Sequence, residues 1–201
     1  MMKAYRKTES IVLAVPAGGV AVAAVIARKL DLPLDVLVVS KITPPWNSEV
    51  GYGAVAFDGT VILNEELSSR LHLSQEEIRN GIKKTEEKVN RRLKILRGNR
   101  PLPNFNKKII LVDDGIASGF TLRVAIEALR KAGSQHIILA VPTAHKESIE
   151  KMIGMVEAIY CPNIREGWQF AVADAYEYWY DLDEEEVKKI LAEFNSDSKK
   201  G

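Results

Sequence analysis

The stretch Lys108–Arg130, KIILVDDGIASGFTLRVAIEALR, holds the residue types best suited to chemistry. A hydrophobic run ends in two adjacent acids, Asp113 and Asp114. The small-residue loop Gly115-Ile116-Ala117-Ser118-Gly119-Phe120-Thr121 follows, and then an amphipathic helical pattern. Glycines let backbone N–H groups turn inward, the helix behind them presents its positive end, and Ser118 and Thr121 add hydroxyl donors. Such a loop is a cradle for a phosphate monoester. Two carboxylates beside a phosphate would repel it, so they must face something else; sugar hydroxyls or a divalent cation are the natural partners. The competing reading is that Asp113-Asp114 caps a helix and the glycines only make a tight turn. The loop is neither a Walker loop, since GxxxxGK[ST] is missing, nor a dinucleotide fingerprint, since GxGxxG is missing. His72, His136 and His145 are dispersed without metal-ligand spacing, and Cys161 has no visible partner or base.

The elements that must position these groups follow from the periodicity. Short apolar runs at 11–15, 34–40, 108–112, 136–141 and 155–160 predict strands buried on both faces. Helical patterns at 19–30, 119–132 and 145–153 alternate with them. The fold class is therefore α/β, with a central, mostly parallel twisted sheet flanked by helices. Ligands of open α/β sheets bind at the carboxyl ends of the strands, where the loop after Asp114 must lie. Val55–Phe57 and Val61–Leu63 flank Asp58-Gly59, the strongest hairpin signal in the chain. Ser74 followed by Glu77 is a capping box that opens a long helix over 75–97. That helix interrupts the strand–helix alternation, which places it outside the sheet as a small hood. Asp183 and Glu186 cap a last helix to about Phe194. Residues 1–201 thus read as one domain, with a flexible loop and hairpin at about 43–63 and a helical insertion at about 64–105.

Charge excludes some partners. With 28 Lys+Arg against 27 Asp+Glu the net charge is +1, which gives no bulk attraction to nucleic acid or anionic lipid. Residues 64–108 nevertheless carry 12 basic and 6 acidic side chains, and residues 174–201 carry 4 and 9. Basic and acidic residues alternate in the middle segment at helical spacing, as in Lys83-Lys84 with Glu86-Glu87, and aromatics for base stacking are absent from that helix. A single cysteine favours a reducing compartment. The uncharged run Ile11–Ala27 imitates a signal or membrane segment, but it is short, rich in alanine and broken by Pro16-Ala17-Gly18-Gly19. The expectation is a cytoplasmic protein that neither spans a membrane nor binds nucleic acid.

The segment VDDGIASGFT resembles the phosphoribosyl pyrophosphate (PRPP) signature of the type I phosphoribosyltransferases, within which KITPPWNSEVGYGAVAFDG and YEYWYDLDEEEV look most like a stand-alone, uncharacterised prokaryotic group. The resemblance implies that Asp113 and Asp114 contact the ribose hydroxyls and Mg²⁺, and that residues 115–121 hold the 5′-phosphate. Val15-Pro16-Ala17-Gly18-Gly19 resembles the family's pyrophosphate loop, and Ser40-Lys41-Ile42 resembles the position of a lysine near the pyrophosphate. Ala17, Gly18, Gly19 and Lys41 are thus the pyrophosphate candidates, and Lys41 joins Asp113 and Asp114 as a catalytic candidate. Related sequences carry arginine where this chain has Ala17. The aspartate that accepts a proton in 6-oxopurine members aligns with Ala117, which argues against a hypoxanthine or guanine acceptor. Glu49, in the predicted mobile loop, and Trp168, after Gly167, are the base-binding candidates. Seven of the 14 aromatics fall between Tyr160 and Tyr180, placed either to stack on a heterocycle or to pack the tail. The implied activity is Mg²⁺-dependent transfer of ribose 5-phosphate to a nucleobase by a homodimer. The alternative is a PRPP-sensing regulator of the same fold that binds nucleic acid or protein.

Overall fold

The structure is a computed structural model and describes residues 1–47, 50–167 and 170–197. Its first strand, β1 (Ser10–Ala14), is buried along its whole length, and it leads through a tight turn into α1 (Gly19–Leu30) and β2 (Leu34–Val36). Asp31, in the left-handed region at φ 55°, ends the helix with its N–H on the carbonyls of Ala27 and Arg28. Further on, β6 (Lys108–Val112), α4 (Phe120–Lys131), β7 (Ile137–Ala140) and β9 (Ala158–Tyr160) repeat the pattern. These five strands form one all-parallel sheet in the order β2-β1-β6-β7-β9. Strand alternation sorts the core into two layers. Ile11, Leu13, Ile109 and Leu111 face one side with Leu122, Ala125 and Leu129 of α4. Val12, Ala14, Ile110 and Val112 face the other, against α1 and against Val187, Leu191 and Phe194 of α6 (Glu184–Asp197). Each fully buried leucine or isoleucine contributes about 1.5–3 kcal/mol, so both layers are strongly held.

The expected strand over 34–40 is two strands. The chain leaves the parallel sheet at Leu37-Val38 and re-forms as β3 (Val39–Ile42), which pairs antiparallel with β4 (Gly53–Ala56); β4 then pairs with β5 (Val61–Leu63). The hairpin between them closes on Asp58, whose carboxylate accepts the N–H and hydroxyl of Thr60 at 2.9 and 2.8 Å. Residues 53–56 are therefore buried sheet, the first strand of the hairpin expected around Asp58-Gly59. Ala54 and Ala56 belong to one core layer and Val55 to the other, so this small sheet is packed on both faces.

After the short α2 (Glu65–Arg70), the long α3 (Gln75–Arg97) covers β3 and β4 and starts at the Ser74–Glu77 capping box. It lies outside the central sheet, as expected, but is tied to it. Arg97, with a side chain only 3% exposed, pairs with Asp35 of β2 and donates to the Pro101 carbonyl at 2.5 Å. The helix expected over 145–153 is shorter. Thr143–His145 is strand β8, paired in parallel with β10 (Asn163–Arg165), and α5 occupies only Lys146–Glu150. The strand expected from 155 starts at Ala158, because Val156 bridges to Ile153 within a preceding turn. Asp183 and Glu186 cap α6 reciprocally, with Glu186 Oε2 on the Asp183 N–H at 2.9 Å and Asp183 Oδ1 on the Glu186 N–H at 2.8 Å.

Candidate functional site

A cavity of about 680 Å³ opens at the carboxyl ends of β1 and β6, where an open parallel sheet places its ligands. Its floor is the turn after β6. Asp113 Oδ1 accepts the N–H of Asp114 at 2.9 Å, and the Asp114 carboxylate lies against the turn at Gly18. Loss of water raises Asp113 well above the ordinary aspartate range, and the neighbouring Asp114 raises it further. Burial is also the leading cause that raises Asp114, and the charge of Asp181 adds to it. Two adjacent carboxylates held this way favour a ligand that brings hydroxyl donors or positive charge.

The loop behind them is fixed from below. Ile116 donates to Thr143 O at 3.0 Å and accepts from His145 N at 2.9 Å, and the Ser148 hydroxyl donates to the Ala117 carbonyl. Gly119 sits at φ 72° as the residue before α4, a left-handed conformation that favours glycine; a Cβ there would stand 2.7 Å from Met152 Cε, the movable end of that side chain. The first-turn N–H groups of α4 have no helical carbonyl to bond and point out of the helix end beside Ser118 and Thr121. Residues Gly115, Ile116, Ala117, Ser118, Gly119, Phe120 and Thr121 all line the cavity, so a phosphate cradle and two carboxylates share one space.

The turn after β1 presses against the acidic pair. A Cβ on Gly18 would stand 1.8 Å from Asp114 Oδ2, and one on Gly19 would stand 2.9 Å from Asp113 Cα and the Val112 carbonyl. Ala17 and Gly18 line the cavity; Gly19 instead supports Asp113 from behind as the first residue of α1. The peptide between Pro16 and Ala17 is cis. Lys41 lines the same cavity, but from β3 of the antiparallel sheet rather than from the end of a parallel strand. Glu49 and Trp168, the base-binding candidates, lie outside the described residues.

Several lining residues carry no signal in the sequence. Lys88 and Arg92 reach the cavity from α3, so part of the basic middle segment faces the site. The segment before α6 supplies Trp179, Tyr180, Asp181 and Leu182. It is anchored by Tyr176, whose hydroxyl donates to the Asp114 carbonyl at 2.6 Å; burial, with the charges of Asp114 and Asp113, pushes that phenol up to about 12. A second, more open cavity of about 520 Å³ adjoins Ala117 and Ser118 and is walled by His145, Glu147, Gly167 and Phe170. The His145 and Phe170 rings lie 5.9 Å apart, and the His145 ring meets the Gly167 carbonyl at 3.0 Å. His145 had no metal-ligand spacing to single it out. Among the described residues no group of three or more His, Cys, Asp or Glu converges on one point. The Asp113–Asp114 donor set therefore fits a Mg²⁺ held jointly by one or two carboxylates and a phosphorylated ligand, rather than an all-protein cage.

Fold and site together define an open α/β protein in which a glycine-bearing loop and two adjacent carboxylates line one cavity at the carboxyl edge of its sheet. The phosphoribosyl transferase domain model matches residues 1–175, and the chain belongs to that family. It is 32% identical over 182 residues to "Putative phosphoribosyl transferase MT0597" and "Putative phosphoribosyl transferase Rv0571c", both of Mycobacterium tuberculosis. Those alignments cover 90% of this chain and 41% of each relative, so the chain spans about two-fifths of their length. Among solved structures it is similar to TT1426 from Thermus thermophilus, with a TM-score of 0.70 and 26% identity over 93% of this chain and 88% of that one. Among the described residues no helix is long and apolar enough to cross a membrane.

Proposed function

We propose that the chain transfers the ribose 5-phosphate group of PRPP to a nitrogenous base and releases pyrophosphate. One observation carries this reading: the 115–121 loop, the Asp113–Asp114 pair and the turn at Gly18 enclose a single cavity, with Gly18 in contact with Asp114. The chain acts as one phosphoribosyltransferase unit over 1–201, with the hairpin region 43–63 and the helical insertion 64–105 built onto it.

In this mechanism the amides of Ala117–Thr121 and the hydroxyls of Ser118 and Thr121 bind the 5′-phosphate and fix the sugar, while Gly115 and Ile116 line the loop, the Ile116 N–H being held by Thr143 O. Asp113 and Asp114 orient the ribose hydroxyls, and their negative field favours the positive charge that develops at C1 as its bond to the diphosphate stretches. The nitrogen nucleophile forms the new bond to C1 while the diphosphate leaves with the electron pair. Mg²⁺ held at Asp113 and Asp114 would neutralise charge on the diphosphate. Lys41 adds a cation on the leaving-group side. The second cavity adjoins the phosphate loop at Ala117 and Ser118, and its His145–Phe170 wall is suited to a flat heterocycle. Tyr176 bonds the Asp114 carbonyl, and Trp179 and Tyr180 line the same cavity on the side of the segment before α6.

The test is a panel of free nucleobases incubated with PRPP and Mg²⁺, with pyrophosphate release monitored. At least one base should release pyrophosphate, and the Asp113→Asn, Asp114→Asn double variant should lose that activity with its fold intact. Retained turnover in the double variant would overturn the site assignment, and silence across the panel would overturn the transferase reading.

A further inference from the structure

The phosphate loop 115–121 carries no cationic side chain, and neither does the turn Pro16–Gly19. The cations of the cavity come instead from the inserted region. Lys41 of β3 and Lys88 and Arg92 of α3 all line it. Lys88 and Arg92 are four residues apart, so they share one face of the helix. The Arg92 side chain is only 11% exposed, and its Nε reaches Glu184 Oε1 at 3.5 Å, without a hydrogen bond. Glu184 also takes Arg91 at 3.1 Å, so one carboxylate serves two guanidinium groups. Lys88 is held below the ordinary lysine range, first by loss of water and then by repulsion from Arg92, Lys41 and Arg91; Glu184 opposes this only in part. Positive charge is therefore concentrated against itself at the edge of the cavity, and an anion there would relieve the repulsion.

We propose that Lys88 and Arg92 of α3 form a wall that binds the diphosphate of PRPP, furnished by the inserted helix opposite the carboxylates and beside the turn after β1. The proposal rests on the PRPP reading of the cavity and assigns two further residues to it. The ligand chemistry divides accordingly. A phosphate monoester suits the amide loop and helix terminus of 115–121, whereas a diphosphate carries more charge than the uncharged Ala17-Gly18-Gly19 turn can match. Guanidinium and ammonium groups on a separate wall supply that match and remain in place as charge grows on the departing group. Glu184, at the start of α6, is the carboxylate that faces both Arg91 and Arg92.

The experiment is calorimetric titration in Mg²⁺ buffer of PRPP, inorganic pyrophosphate and ribose 5-phosphate into the full chain and into Lys88→Met, Arg92→Gln and the double variant. Each single change should weaken PRPP and pyrophosphate about tenfold, and the double change on the order of a hundredfold, the usual effect of removing a charge-assisted contact. Ribose 5-phosphate should bind every variant within about twofold of the unchanged protein, which also reports that the loop and fold survive. PRPP affinity retained in the double variant would overturn the proposal, as would a parallel loss of ribose 5-phosphate. An unchanged protein that bound pyrophosphate but not PRPP would overturn the transferase reading and leave the anion wall standing; one that bound neither would overturn both.

Discussion

Replacing Gly18 by alanine separates the integrity of the fold from the geometry of the site. Gly18 has φ −54° and ψ −38°, a right-handed helical conformation that alanine adopts without strain. Stiffening the unfolded chain would even favour the variant by about 0.4–1 kcal/mol. The new Cβ, however, would stand 1.8 Å from Asp114 Oδ2, 2.7 Å from its Cγ and 3.1 Å from its Cβ. Ordinary contact begins near 3.4 Å, so the carboxylate must retreat by about 1.6 Å. Rotation about its own side chain clears Oδ2 and Cγ and abandons the ligand-facing position, while the 3.1 Å approach to Asp114 Cβ needs a shift of only a few tenths of an ångström. Misplacement of a binding group by 1 Å costs about a hundredfold, or roughly 2.7 kcal/mol. Gly18→Ala should therefore melt within about 2–4 °C of the unchanged protein, the shift that 1 kcal/mol produces at this size, while its calorimetric affinity for PRPP falls by about two orders of magnitude. PRPP binding within about threefold of normal would refute the claim that Asp114 must occupy this position. Unfolding would refute the claim that a side-chain rotation and a shift of a few tenths of an ångström suffice.

Two further outcomes follow from charge and burial. Because the Asp113 carboxyl is raised in the folded state, its ionised form destabilises the ligand-free protein at neutral and higher pH, and that penalty vanishes as pH falls below the ordinary aspartate range. Asp113→Asn should thus raise the melting temperature at pH 8, with the gain fading towards pH 4; a gain that grows on acidification would reverse the sign and sink the argument. Arg97→Ala should lose about 3–5 kcal/mol in urea unfolding, since it strands the largely buried Asp35 carboxylate at the sheet edge; a loss under about 1 kcal/mol would show that Arg100, 3.6 Å away, takes over the pairing.

The strand–loop–helix unit around Asp113 and Asp114 was legible because its signal is local: a strand, two acids, glycines and a helix in unbroken order fix one another's positions. The Asp58-Gly59 hairpin and the Ser74–Glu77 cap were legible for the same reason. The break at Leu37-Val38 was not, because 34–40 is apolar almost throughout and has no alternation to show where one strand ends and another begins. Lys88 and Arg92 sit in a helix whose charges recur on several faces, so only the packing of α3 on β3 and β4 shows which of them turn inward. His145 and Phe170 are brought together by the β8–β10 pair, two three-residue strands too short to register as periodic.

Strands β1 and β6 are immediate neighbours, with Ser10 opposite Lys108, although nearly a hundred residues separate them along the chain. The entropy of closing such a loop rises only with the logarithm of its length, about 0.6 kcal/mol for each doubling. Inserting β3 to α3 between β2 and β6 therefore adds little to the closure penalty, and the insert offsets that addition by burying Ala54, Val55, Ala56 and Val89. A parallel sheet that pairs strands remote in sequence can thus accommodate an entire additional layer at one edge of its ligand cavity without loosening its centre. In this chain that layer is the one that carries the positive charge.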